Sequence, residues 1–160
     1  MRSIIFRAKT ISLDDSRWVT GDLHLYSKAP HIHSGPFKHT IDVSTIGEFT
    51  GLKDKNCTMV YEGDILMVRE YENLLMKEFP TDEEYDIFTL EEIRGKLLKE
   101  YVTPVIFEEG GFQVSAGSDY YDMWLASLFG DMKRCYPSFD FEVIGNIHDN
   151  PELIRKELKK

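Results

Sequence analysis

The chain has 160 residues, 42% hydrophobic and 12% aromatic, which is enough to bury a core in one domain without disulfides or metal. Nineteen Lys and Arg stand against 28 Asp and Glu, a net charge of −9, so the bulk field repels nucleic-acid phosphates and anionic membranes alike. The two cysteines, Cys57 and Cys135, lie far apart and outside any Cys-x-x-Cys pattern, and no signal peptide or long apolar run is present, so a cytoplasmic protein with reduced thiols is expected.

Residues 3–9 and 17–26 read as a β-hairpin turning at Asp14-Asp15-Ser16, with Trp18 placed to cover one end of a core. Lys28 to Phe37, punctuated by Pro30, Gly35 and Pro36, reads as a loop with a short extended piece at His31-Ile32-His33. Strands are expected at about His39 to Val43, Glu48 to Lys53 and Thr58 to Tyr71, with Ser44-Thr45-Ile46-Gly47 as a tight link between the first two. Asp54-Lys55-Asn56 is a polar turn between apolar flanks, because Asn tolerates a left-handed backbone. The third strand breaks at Gly63-Asp64, where glycine takes φ > 0 and the carboxylate satisfies backbone donors before Ile65-Leu66-Met67-Val68 resumes.

Residues 72–88 are acidic and weakly periodic, with Glu78, Asp82, Glu83, Glu84 and Asp86 among them. A helix is predicted next: Thr89 as N-cap, Glu92 completing a capping box, and Leu90, Ile93, Leu97, Leu98 and Tyr101 on one face, with Pro104 as its stop. Val105-Ile106-Phe107 and Phe112-Gln113-Val114 flank Glu108-Glu109-Gly110-Gly111 as a hairpin. A second helix is predicted from Ser118 or Asp119, with Tyr121, Trp124, Leu125, Leu128 and Met132 at helical spacing. After Pro137, Phe139, Phe141 and Val143 alternate as a strand. Asn150-Pro151 opens a short terminal helix with Leu153, Ile154 and Leu158 inward, and Arg155, Lys156, Lys159 and Lys160 make its end basic.

Three blocks carry a resemblance: Thr50-Gly51-Leu52-Lys53-Asp54-Lys55-Asn56, Tyr61-Glu62-Gly63-Asp64-Ile65, and the late Glu142-Val143-Ile144-Gly145-Asn146-Ile147-His148-Asp149-Asn150-Pro151-Glu152-Leu153. Together with Ile5-Phe6-Arg7-Ala8 and Trp18-Val19-Thr20-Gly21-Asp22-Leu23, the chain resembles the YopX-like family of phage and prophage proteins over most of residues 3–70 and 104–153. The resemblance implies a β-rich fold with an SH3-like barrel, a mobile-element origin, and no established activity or catalytic residues. It leaves residues 71–103 as an inserted acidic loop plus helix. It also marks Cys57 as a departure, since family members usually carry Gly after the Asn. Gly145 suits a bulge or close backbone approach, and Asn146 suits backbone bonding.

Chemistry-bearing patterns are sparse. His24, His31, His33 and His39 fall within sixteen positions. An extended His31-x-His33 projects both rings to one side, and His39 on a neighbouring strand would complete a zinc-type set; the ordinary reading is a polar strand face with no metal. There is no Gly-x-Ser-x-Gly elbow, no phosphate loop and no paired-carboxylate signature, so no residue is assigned as catalytic and no cofactor is expected. Arg2, Arg7, Lys9 and Arg17 form a candidate basic face for nucleic acid despite the overall charge. Tyr61, Tyr71, Tyr120, Tyr121 and Tyr136 read as core or half-buried before contact residues.

The expectation is a single α+β domain over residues 1–160, with a β-rich, SH3-like barrel core, two main helices and a short C-terminal helix. Phe6, Trp18, Leu23, Phe49, Ile65, Phe107, Trp124, Val143, Ile144 and Ile147 are expected to point inward. The expected role is a non-catalytic accessory or regulatory protein that acts by binding another protein, with self-association through an exposed strand edge as one form of it. The alternatives are a nucleic-acid-binding barrel and a metal-binding protein or hydrolase built on the histidines.

Overall fold

The computed structural model, which describes residues 4–11, 16–26, 29–74, 94–108, 110–115, 122–124 and 139–157, is built mainly of strands. In chain order these are β1 (Phe6–Lys9), β2 (Trp18–His24), β3 (His31–Ser34), β4 (Phe37–Thr40), a 3₁₀ turn (Val43–Thr45), β5 (Gly47–Lys53), β6 (Met59–Tyr61), β7 (Asp64–Asn73), β8 (Arg94–Glu108), β9 (Gly111–Ser115), β10 (Asp122–Trp124), β11 (Phe139–Asn146) and the helix α1 (Glu152–Glu157).

Two antiparallel sheets result. One has six strands in the order β4-β3-β2-β1-β5-β6, and the other has five in the order β10-β9-β8-β7-β11. The first curls until a single bridge joins Thr10 to Ile41, but the expected barrel does not close. Inside the curl Ala8, Val19, Ile32 and Ile41 are fully or nearly buried, with Phe6, Leu23 and Ile46 against them. The second core gathers Val60, Leu66, Val68, Tyr101, Val105, Phe112, Val114 and Phe141. Val60 comes from the first sheet, so this cluster joins the two sheets. The passage from β6 to β7 turns on Gly63, which adopts φ +79°, as the sequence predicts for that corner.

The expected helix over Leu90 to Tyr101 is overturned from Arg94 onward, where the chain is strand β8. Tyr101, Thr103 and Val105 are buried in alternation, while Leu97 and Leu98, central to the helical stripe, are exposed. The long β7 supplies the reason: β8 pairs with it from Asn73↔Arg94 to Ile65↔Pro104 and satisfies its backbone groups, which outweighs a weak local helical pattern containing Gly95. Nor does Pro104 stop the element. The carbonyl of Val105 accepts from Gly63 N–H at 2.9 Å on the β7 side, so strand alternation directs the Pro104 nitrogen the other way, where no bond to β7 is lost.

The second expected helix is overturned at Asp122–Trp124, which extends as β10 along β9 with Met123 opposite Val114. The remainder of that prediction, together with Tyr120, Tyr121, Tyr136 and Cys135, lies outside the described residues. Among the described residues α1 is the one α-helix, so the α+β class with two main helices gives way to a β-rich architecture. No helix among them is long and apolar enough to cross a membrane. Within the loop expected over Lys28 to Phe37, the extended piece at His31-Ile32-His33 is strand β3, and Phe37 opens β4 after Gly35-Pro36.

Candidate functional site

Two of the sequence blocks singled out above meet in space. Asp64 Oδ2 accepts from Tyr61 N–H at 2.8 Å, closing the corner that the Glu-Gly-Asp sequence predicts. Ile147 N–H donates to the Gly63 carbonyl at 2.9 Å, so the late block is laced directly onto that corner.

The late block shapes itself. Pairing of β11 with β7 slips between Val143 and Gly145, a bulge of the kind expected there. A Cβ on Gly145 would stand 2.6 Å from Asn150 Oδ1, so only glycine lets the Asn150 side chain lie over the strand. Asn146 Oδ1 accepts from the N–H groups of His148 (3.0 Å) and Asp149 (2.9 Å), holding the turn that presents Ile147 and His148.

The N-terminal hairpin is fastened to the same place. Arg7 Nη2 lies 2.6 Å from Asp64 Oδ1, and its guanidinium sits 4.8 Å from the Trp18 ring centroid and 4.7 Å from that of Tyr61. Trp18 Nε1–H donates to Asp149 Oδ2 at 2.7 Å, and the Lys9 ammonium pairs with Asp149 Oδ1. The Lys9 ammonium is the largest of the influences that hold the Asp149 carboxyl at about 2, against the opposing effect of burial and with help from Asn146 and Trp18.

Around this junction opens a cleft of about 270 Å³, lined by Ser44 in the 3₁₀ turn and Ile46 just after it, Glu62 and Gly63 at the corner, Val105 to Glu108 of β8, and Ile147 and His148. It exists because β8 outruns its partner: the last β7–β8 pair is Ile65↔Pro104, and past Val105, whose carbonyl still accepts from Gly63 N–H, the strand continues along β9 without β7. Phe107 and Ile147, expected in the core, are therefore 48% and 38% exposed beside the cleft. Burial, then the charges of Lys9 and Arg7, lowers the His148 pKa below its ordinary value, so the imidazole is neutral at pH 7. Burial at the corner raises that of Glu62, opposed by the backbone hydrogen bond from Glu48 and aided by the Glu48 charge. The cleft thus offers apolar walls, a neutral ring and the carboxylates of Glu62 and Glu108. This chemistry suits holding a cationic or N–H-bearing group between apolar neighbours.

The model of the YopX protein family matches residues 9–155. The chain belongs to the YopX family. Both blocks that build the cleft corner, Tyr61 to Ile65 and Glu142 to Leu153, fall within that YopX match. Among solved structures, the crystal structure of protein EF1440 from Enterococcus faecalis is similar at 22% identity, covering 95% of this chain and 98% of that one with a TM-score of 0.42. No match is found among curated proteins.

The other candidates from sequence fall elsewhere. His31 and His33 project to one side of β3 as expected, but His39 pairs with Ile32 and so lies on the opposite face of the sheet. The ring that joins His31 and His33 is His24, directly opposite His31 on β2. Burial first, then the neighbouring His24, His31 and Lys38, lowers the His33 pKa, with Asp22 pulling it back. As the side chains stand, no three His, Cys, Asp or Glu among the described residues converge to hold a metal. Of the candidate basic face, Arg7 and Lys9 are paired with Asp64 and Asp149, and Arg2 lies outside the described residues. Cys57 is a free, exposed thiol.

Glu62 and His148 carry no site motif in the sequence, and Phe107 and Ile147 read there as core residues. An available signal was Asn146-Ile147-His148-Asp149, whose Asn-led turn pushes the next two side chains outward.

Proposed function

We propose that this YopX-family chain is a non-catalytic accessory or regulatory protein of phage or prophage origin, cytoplasmic, that works by binding another protein. The observation that supports this reading is the cleft at the Gly63 corner, with Phe107 and Ile147 exposed beside it and Glu62 and Glu108 in its lining. A partner segment that places a basic side chain between apolar ones complements it, in keeping with the chain's net charge of −9. Nucleic acid is a weaker reading, because Arg7 and Lys9 are already engaged by carboxylates.

Affinity capture from the native host, run side by side with wild type, Phe107→Ser and Ile147→Ser, tests this reading. Both side chains are partly exposed, so the variants are expected to fold. A captured protein whose recovery falls at least about tenfold with either variant supports it. Recovery that is indifferent to both substitutions, or a wild-type protein that captures only copies of itself, overturns it.

A further inference from the structure

We propose that His24, His31 and His33 form a binding site for one divalent transition-metal ion of the zinc type on the face of the six-stranded sheet, separate from the cleft. His24 and His31 are a directly opposed pair on β2 and β3, and His33 follows two residues along β3 on the same face. The three ring centroids lie 4.7, 4.9 and 5.0 Å apart. An imidazole bound through one nitrogen at about 2.0–2.1 Å sets its centroid about 3.2 Å from the metal, so tetrahedral ligation spaces the rings by about 5 Å. The strands therefore already deliver three imidazoles at ligand spacing.

One ring is held in a defined tautomer. His31 is buried and its Nδ1 lies 3.0 Å from the Ala29 carbonyl, which only accepts, so Nδ1 is the donor there and a metal would be held through Nε2. His24 and His33 are exposed and turn about χ1 and χ2 at little cost. Such a turn is required, because the rings of His24 and His31 lie 6° from parallel and do not yet converge. Asp22, opposite His33 on β2, adds a carboxylate to the same face, and Lys38, opposite it on β4, adds the opposing charge. Three imidazoles suit zinc, nickel or copper(II) and not magnesium or calcium, which take oxygen ligands.

The test is calorimetric titration of the untagged full-length chain with zinc chloride near neutral pH, with imidazole ¹⁵N shifts recorded in parallel. One saturable site is expected, with shifts at His24, His31 and His33. His24→Ala and His33→Ala are each expected to weaken binding at least about tenfold, Lys38→Met to tighten it, and His39→Ala to leave it unchanged. The NMR readout needs no variant, so it stands even where a substitution disturbs folding. Absence of saturable binding, zinc-induced shifts confined to other histidines, or affinity that depends on His39 as much as on His33 overturns the site.

Discussion

Arg7 and Asp64 form the ion pair that fastens the N-terminal hairpin to the corner between β6 and β7, 2.6 Å apart with the Asp64 side chain only 1% exposed. Burial raises the Asp64 pKa, and Arg7 acts against that rise. Removing one partner of a buried pair leaves an uncompensated charge, so Arg7→Met is expected to cost about 3 kcal/mol or more in urea unfolding near pH 7. In that variant the Asp64 pKa rises further above its unfolded value. The protonated form is then the tolerated one, so the deficit should shrink as pH falls towards about 4. Arg7→Met combined with Asp64→Asn should cost less than the two single changes added together. Strict additivity would mean that the pair does not couple the two elements.

Asp54 fastens strand β11 in a corresponding way. It is 5% exposed, its Oδ1 accepts from Asn56 (2.9 Å) and Thr58 (2.8 Å), and its Oδ2 accepts from Val143 N–H at 3.0 Å. Burial raises its pKa, but these three donors together outweigh burial and hold the carboxyl below its ordinary value. Asp54→Ala strands three backbone N–H groups and is expected to cost about 2–4 kcal/mol, with faster amide exchange at Val143 as well as in the turn. Exchange confined to residues 55–58 would show that the bond to β11 is dispensable.

Legibility in the sequence tracked how local the deciding interaction is. The Gly63-Asp64 corner, the Asn150-Pro151 helix start and the Gly145 bulge are each decided within a few residues, and each was readable. Strand β8 was not, because its helical stripe through Leu97 and Leu98 is a local pattern overruled by a distant one: β7 needs a partner along its whole length. The cleft was hidden for a related reason. Phe107 has the same strand parity as Tyr101, Thr103 and Val105, and only the length mismatch between β7 and β8 leaves it outside. The histidine face was half legible. Alternation put His31 and His33 together, but the choice of His24 over His39 depends on register, and a one-residue difference in register reverses a face.

Cys57 occupies a position whose backbone wants glycine. Cys57 N–H bonds to the Asp54 carbonyl and Asp54 N–H to the Thr58 carbonyl, both at 2.9 Å, which makes a turn followed by a one-residue bulge with Cys57 at φ +65°. A non-glycine residue there costs about 1–2 kcal/mol, partly offset by the roughly 0.5–1 kcal/mol of extra chain entropy that glycine loses on folding. Cys57→Gly is therefore expected to stabilise the protein by about 0.5–1 kcal/mol, or about 1–4 °C in Tm. Cys57→Ala, which removes the thiol but keeps the Cβ, should leave the Tm nearly unchanged. Equal effects from the two would assign the gain to loss of the thiol and not to backbone relief.

Asp149 makes the acid limb of the stability curve a test of how the hairpin is docked. Its carboxyl, held at about 2 by Lys9 first and by Asn146 and Trp18 as well, lies below the ordinary value of 3.8. A carboxylate whose folded pKa is depressed stabilises the fold above the unfolded value, and that contribution is lost as pH falls from 3.8 towards about 2. The side chain is 38% exposed, so solvent screening limits the effect to about 1 kcal/mol or less. Lys9→Met should raise the Asp149 pKa in a carboxyl ¹³C titration. Asp149→Asn should flatten the stability profile across that interval while changing it little in shape above about pH 5. An Asp149 that titrates near 3.8 in the wild type, or does not respond to loss of Lys9, would mean that the late block is held to the corner by Ile147 and Gly63 alone.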